Sequence, residues 1–82
     1  MTQEGIFEII VASSREVVPH LEHHTFQPED GLRDLGANSI DYWEIVALTL
    51  ETLSLGIPLV SLVGVENVGD LARTLHERMA AS

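Results

Sequence analysis

The spacing of apolar residues limits the possible folds of this chain more than any other feature. In three segments these residues recur at intervals of three, four and seven, as they do in helices that bury one face. The first segment predicts a helix over residues 3–18. Its apolar set is Ile6, Ile9, Ile10, Val17 and Leu21. Pro19 interrupts this helix, because an interior proline lacks an N–H donor and clashes with the preceding turn.

A second helix is predicted over residues 39–54. Its apolar stripe consists of Trp43, Val46, Leu50 and Leu53. Either Asn38 or Ser39 serves as the N-cap, and Asp41 places a negative charge in the first turn, where it is favoured. A glycine and a proline shortly after residue 54 mark the end of the helix.

The last predicted helix begins at Asn67, with Asp70 three residues later in an arrangement like a capping box. Its buried stripe is predicted to be Val68, Leu71, Ala72, Leu75 and Met79. Residues 59–65 have strand propensity, but the chain offers them no partner strand, so they are predicted to form a short third helix. Glu66 and Asp70 are interpreted as a solvated helix start.

Residues 20–38 contain a proline and two glycines and are predicted to form a long loop. Phe26, Leu32 and Leu35 are expected to hold this loop against the core. The sequence therefore predicts a single all-α domain over residues 1–82. The expected architecture is a four-helix bundle with a long first loop and a short third helix.

The charge balance excludes several classes of function. Thirteen acidic residues face four basic ones, which gives a formal net charge of -9. Such a surface repels nucleic acids and anionic membranes and attracts basic protein partners. No apolar run approaches the roughly 18 residues needed to cross a bilayer, and no secretion signal is present. These observations predict a cytoplasmic protein, and we expect a monomer. The absence of cysteine excludes disulfides and thiolate metal sites.

Residues 35–41, Leu-Gly-Ala-Asn-Ser-Ile-Asp, form a glycine-marked loop that delivers Ser39 to the start of the second helix. A hydroxyl there is exposed and close to unpaired backbone N–H groups, which favour an anion such as a phosphate esterified to the serine. A plain capping role for Ser39 remains an alternative. The segment is not a G-x-S-x-G elbow and no strand leads into it, so a hydrolase nucleophile is not expected. We therefore predict a site of covalent modification and no enzyme activity.

Three histidines, His20, His23 and His24, lie close together in the sequence. His20 and His24 are four residues apart, a spacing that faces one metal ion on a helix. Their order matches neither H-E-x-x-H nor H-x-x-E-H, and Pro19 disfavours a helix here. We interpret them as exposed loop histidines and predict no metal site.

From Phe26 to Leu75 the chain resembles the acyl carrier proteins, and the first helix agrees in pattern. The resemblance implies that Ser39 carries a phosphopantetheine arm. The family signature has aspartate before the serine and leucine after it, whereas this chain has Asn38 and Ile40. That departure bears on contacts that the usual aspartate makes, including some with the phosphopantetheinyl transferase that installs the arm.

Further segments are similar to the freestanding donor carriers of polyketide β-branching cassettes. These segments are residues 44–46, 57–58 and 67–71. The resemblance implies malonyl loading by an acyltransferase and conversion to acetyl by a decarboxylating ketosynthase-like enzyme. A hydroxymethylglutaryl-CoA synthase-like enzyme then adds the acetyl group to a β-keto chain on another carrier. Tyr42 and Trp43 differ from the basic and small residues common in those carriers.

The carrier role implies a docking surface on the second helix. Its residues are Asn38, Ile40, Asp41, Glu44, Ala47, Leu48 and Glu51. The acids would meet Arg or Lys on each enzyme, and Ile40, Ala47 and Leu48 would supply apolar contact. Residues 59–65 would add either an interface or a shallow groove for the acyl group. The alternatives are a fatty-acid or peptidyl carrier, or an unmodified acidic adaptor in which the serine is only a cap.

Overall fold

In the computed structural model the described residues, 1–65 and 67–81, form three α-helices and two 3-10 helices. The α-helices are α1 (Gln3–Val17), α2 (Ser39–Leu53) and α3 (Val68–Ala81), and the 3-10 helices are Pro19–Leu21 and Leu59–Leu62. No strand occurs in the described residues, and one isolated bridge joins Gly31 to Asn67. The all-α prediction is confirmed. Glu66, predicted to belong to a solvated helix start, lies outside the described residues.

The prediction of four α-helices is corrected by the segment 59–65. It forms only a four-residue 3-10 helix at Leu59–Leu62. Pro58 and Val63, on either side of it, have extended backbone, and no side chain caps its start. Gly64 then has φ 93°, which ends any helical continuation. Because the backbone is extended on both sides of these four residues, the segment is too short to form an α-helix.

The first helix α1 ends one residue before the predicted limit. Val18 adopts extended backbone because the residue before a proline is disfavoured in the helical region. At the other end, the Thr2 hydroxyl accepts a hydrogen bond from the Gly5 N–H at 3.0 Å and caps the helix. Ile6 and Ile10 are fully buried, whereas Ile9 is half-buried.

The core lies where α1 packs against both α2 and α3. Its fully buried large side chains come from all three helices, the long loop and the second 3-10 helix. They include Ile6, Ile10, Leu32, Ile45, Val46, Leu62, Val68, Leu71 and Leu75. On α3 the predicted stripe is buried except for Met79, which is half-buried. The core is continuous across the three helices.

The buried face of α2 is rotated from the one predicted. It is centred on Ile45, Val46, Thr49 and Leu50. Trp43 and Leu53 are half-buried and pack against the core from the edge of this face, so the predicted apolar stripe is only partly buried. The Thr49 hydroxyl donates to the Ile45 carbonyl at 2.8 Å, and this intrahelical bond allows a polar side chain to occupy the buried face.

The long loop is held against the helices as predicted. Phe26 and Leu32 are buried, and Leu35 packs partly buried against the same core. Backbone hydrogen bonds tie the loop to the start of α3: Val68 N–H donates to the Asp30 carbonyl at 2.9 Å and Gly69 N–H to the Pro28 carbonyl at 2.7 Å. These contacts fix the path of the chain that leads to α2. Within the described residues, no helix is long and apolar enough to span a membrane.

Candidate functional site

The last residues of the long loop form a tight turn before α2. Gly36 has φ 102°, a conformation that favours glycine, and a Cβ there would lie 3.0 Å from the His20 ring. The same ring donates from Nε2 to the Leu35 carbonyl at 2.9 Å. Ala37 is buried, and its N–H donates to the Leu32 carbonyl at 3.0 Å. The turn is therefore anchored on both sides before the chain reaches residue 38.

Asn38, and not Ser39, is the N-cap of α2. The Asn38 side chain accepts a hydrogen bond from the Asp41 N–H at 2.8 Å, and the Asp41 carboxylate accepts one from the Asn38 N–H at 3.3 Å. These reciprocal bonds form a capping box. The cap requirement of α2 is met without the serine, so the alternative in which Ser39 serves as the cap does not hold.

Ser39 is the first residue of α2 and is exposed. Its hydroxyl has one neighbour among the described residues: Nη2 of Arg33 lies 3.5 Å from Oγ, which is long for a hydrogen bond. No histidine or carboxylate of the described chain bonds to Oγ, so no base is positioned to activate it. The site presents a free hydroxyl at the positive end of a helix, beside a cation.

Arg33 is the residue at this site that the sequence reasoning missed. Its position in the sequence does not predict contact with Ser39, since five loop residues lie between the two. One signal was available. Arg33 is the sole basic residue of the loop that leads to the serine, histidines aside, in a chain with only four arginines or lysines.

A cleft of about 410 Å³ opens beside the start of α2. Its lining includes Arg33, Tyr42 and Trp43 on one side and residues 62–65 on the other. Tyr42 Oη donates to the Val65 carbonyl at 3.0 Å and so bridges α2 and the opposite wall. Burial raises the pKa of the Tyr42 hydroxyl above its usual value, and the positive charge of Arg33 opposes this shift less strongly.

The predicted docking residues lie on the side of α2 that faces away from the core. Asn38, Glu44, Ala47 and Glu51 are exposed, and Ile40 is 71% exposed. Leu48 is half-buried, and so is Asp41, whose carboxylate is engaged in the capping box. Glu44 and Glu51 are thus the acids on this face that are free for a partner. No hydrogen bond or ion pair of either carboxylate occurs within the described residues.

The 3-10 helix at Leu59–Leu62 presents a second apolar surface next to this face. Val60 and Val63 are 74% and 66% exposed. Leu62 is fully buried and lines the cleft together with Val63 and Val65. The segment therefore has exposed apolar side chains and forms one wall of the cleft, while its role as an interface or as a groove for the acyl group stays a prediction.

Two of the three clustered histidines form hydrogen bonds to residues of the long loop. His20 contacts the turn before α2, and His23 is exposed. His24 is half-buried and its Nε2 lies 3.0 Å from Asp30 Oδ2, so the prediction of an exposed histidine is wrong at this position. The Gln27 N–H and the His24 ring, in that order, lower the pKa of the Asp30 carboxyl by hydrogen bonding to it. Within the described residues, no group of three metal-ligating side chains occurs.

Comparison with known proteins agrees with this geometry. The family described as "Phosphopantetheine attachment site" matches residues 15–75. The polyketide biosynthesis acyl-carrier-protein AcpK of Bacillus subtilis (strain 168) is 44% identical over 82 residues, which cover 100% of both chains. A chain in the crystal structure of the curacin biosynthetic pathway HMG synthase in complex with acetyl donor-ACP superposes with a TM-score of 0.86. It is 38% identical, with 100% of both chains covered.

The chain belongs to the acyl carrier protein family, whose site attaches phosphopantetheine. The predicted family and prosthetic group are therefore confirmed. This family consists of carriers and not of catalysts, which confirms on that ground the prediction that the chain is not an enzyme. The relatives that it matches include a carrier protein of polyketide biosynthesis.

Proposed function

We propose that Ser39 is the residue that carries the phosphopantetheine arm. The observation that carries this proposal is the exposed Ser39 hydroxyl at the first position of α2, which Asn38 has relieved of the capping role. The residues present suit a phosphate ester: a nucleophilic oxygen, the N-terminal end of a 15-residue helix and the guanidinium of Arg33. When bound, the arm supplies a thiol that holds acyl groups as thioesters.

Loading with coenzyme A tests this proposal directly. The purified chain is incubated with coenzyme A and a broad-specificity phosphopantetheinyl transferase, and its intact mass is recorded. The serine oxygen gains the bond to phosphorus, the adenosine bisphosphate part of coenzyme A leaves, and the hydroxyl proton is lost. We expect one phosphopantetheine on the native chain and none on Ser39→Ala. An adduct that survives this substitution would refute the assignment.

The loaded chain is proposed to act as an acetyl donor in polyketide β-branching. Support comes from its likeness, over the full length of both chains, to a chain crystallised with HMG synthase as "acetyl donor-ACP". In this proposal an acyltransferase supplies malonyl and a decarboxylating ketosynthase-like enzyme converts it to acetyl. A hydroxymethylglutaryl-CoA synthase-like enzyme then receives the acetyl group. We place this work in the cytoplasm, with the carrier acting as a monomer.

The surface around Ser39 supports docking to basic enzyme surfaces. Glu44 and Glu51 present free carboxylates, with exposed apolar contact from Ala47 between them and from Ile40 one turn before Glu44. Charges on such a face raise the rate of encounter without requiring tight binding, which suits a carrier that visits several enzymes. The departures at Asn38 and Ile40 lie inside this surface and would tune which transferase and synthase it accepts.

A transfer assay separates the donor role from the other carrier roles. The chain is loaded with acetyl-phosphopantetheine and mixed with an HMG synthase-like enzyme of a β-branching cassette and a β-ketoacyl carrier. A fatty-acid carrier and a peptidyl carrier, loaded identically, serve as controls. We expect faster acetyl transfer from this chain than from either control. Equal rates for all three would contradict the donor assignment and leave the attachment site untouched.

A further inference from the structure

Among the residues that the structure describes, no ion pair neutralises the charge of Arg33. Of the other basic residues, Arg15 donates to a loop carbonyl at 2.9 Å, and Arg73 forms ion pairs with two acids of α3. Within the described chain, no carboxylate lies within 4.0 Å of the Arg33 guanidinium. Within the described residues Arg15 and Arg78 also lack an ion pair, so what distinguishes Arg33 is its position beside the proposed attachment serine.

The contact between Arg33 and Ser39 is poorly suited to a hydroxyl. At 3.5 Å from Nη2 to Oγ it is a weak hydrogen bond to a neutral acceptor. A phosphodiester on the same oxygen would carry a full negative charge and two further acceptor oxygens. Guanidinium groups bind phosphate oxygens in pairs, and such charge-assisted bonds are about twice as strong as neutral ones.

We infer that Arg33 binds the phosphate of the prosthetic group and fixes the direction in which the arm leaves Ser39. This inference rests on the proposed attachment at Ser39. Arg33 lines the cleft beside α2, and Trp43, one helical turn after the serine, lines it as well. A phosphate held by Arg33 directs the first bonds of the arm to the side of α2 where the cleft opens. Arg33 is thus a positioning residue for the arm.

Other hydrogen-bond donors of the turn and of the start of α2 are less available to a phosphate. His20 is committed to the Leu35 carbonyl, and its Nε2 proton is used there. The first backbone N–H groups of α2 favour an anion, but the Asp41 N–H is already bonded to the Asn38 side chain. Arg33 is therefore the mobile cation best placed to contribute a salt-sensitive, side-chain contact that substitution can remove.

Phosphorus NMR of the loaded full-length chain tests this inference. Native chain, Arg33→Gln and Arg78→Gln are loaded, and intact mass first verifies one phosphopantetheine on each. The phosphorus chemical shift is then measured in buffer and in urea, and the difference between the two reports contacts made in the folded state. Arg78, in the last turn of α3, is an exposed arginine away from the cleft and gives a matched loss of one charge.

We expect Arg33→Gln to lose more than half of the native folding-dependent shift, and Arg78→Gln to retain it. Added salt should reduce the shift in the native chain, because it screens a solvated ion pair. This salt titration also decides the matter should Arg33→Gln fail to fold. An unchanged shift in Arg33→Gln, or a native shift insensitive to salt, overturns the inference. If the native chain itself takes up no phosphopantetheine, the proposed function is refuted instead. The two failures are therefore distinguishable.

Discussion

Replacing Asn38 or Ser39 by alanine shows which of these two residues caps the start of α2. The Asn38 side chain accepts the Asp41 N–H at 2.8 Å, and alanine removes this acceptor. The reciprocal bond, from the Asn38 backbone N–H to the Asp41 carboxylate, does not need the Asn38 side chain and survives. One capping bond of the two is therefore lost in Asn38→Ala.

The expected cost follows from that count. Loss of an N-cap side chain destabilises a protein by about 1 kcal/mol, within a range of about 0.5 to 2. The site is exposed, so water replaces part of the lost bond and the value should lie near the middle of this range. A change of about 1 kcal/mol lowers the Tm of a domain of this size by roughly 4 to 8 °C. Ser39→Ala removes an exposed hydroxyl with one long contact and should change the free energy of unfolding by less than about 0.5 kcal/mol.

Urea unfolding of the unmodified proteins, followed by circular dichroism, measures both changes under the same conditions. The difference between the two variants is the informative quantity, since they lie side by side and alter the same end of α2. An equal loss of stability in Ser39→Ala and Asn38→Ala would refute the assignment of Asn38 as the cap. It would also remove the reason for regarding the serine as free for modification.

Three further substitutions test other parts of the structure. Gly69→Ala would place a Cβ 2.8 Å from Pro28, whose carbonyl accepts the Gly69 N–H, and should destabilise the fold by about 1 to 3 kcal/mol in urea unfolding. A Cβ at Gly56 would meet nothing within 4 Å, so the control Gly56→Ala should not destabilise the fold. Hydrogen bonds lower the pKa of Asp30 in the folded state, so its charge stabilises the fold above pH 3.8, and this contribution is lost as the pH falls through the lower folded value. The Tm difference between the native chain and Asp30→Asn should therefore shrink in acid, and a constant difference would contradict this. Glu44→Lys should reduce kcat/KM for acetyl transfer by roughly fivefold to tenfold, equivalent to about 1 to 1.4 kcal/mol, and should weaken its salt dependence. The control Glu8→Lys, on α1, should do neither, and equal effects of the two would argue against electrostatic docking by α2.

The sequence predicted the position of the serine because its local signals agree. A glycine-marked turn, two good capping residues and an apolar periodicity all place the start of α2 at residue 39. The same signals could not decide between Asn38 and Ser39 as the cap, since both side chains cap helices well. That decision depends on backbone angles, and Asn38 has the extended backbone that an N-cap requires.

The errors lie where tertiary contacts override local pattern. Trp43 fits a helical stripe, but α1 packs against a face centred nearer Ile45, which leaves the indole at the rim of the cleft. The sequence predicted a helix around Leu59–Leu62 but not that it would be a 3-10 helix. The length of this helix depends on the backbone conformation at both of its ends. The approach of Arg33 to Ser39 depends on the path of the whole loop, for which residue spacing gives no rule.

Fragmentation of the loaded protein is the most direct test of where the arm is attached. The chain is modified with coenzyme A and its transferase, digested, and sequenced by tandem mass spectrometry. Ser54, exposed at the opposite end of α2 with φ 53°, provides the matched control because Ser54→Gly suits that backbone. We predict that the phosphopantetheine mass resides on residue 39 in both the native chain and Ser54→Gly. The same mass on any other residue, with 39 unmodified, would contradict the account.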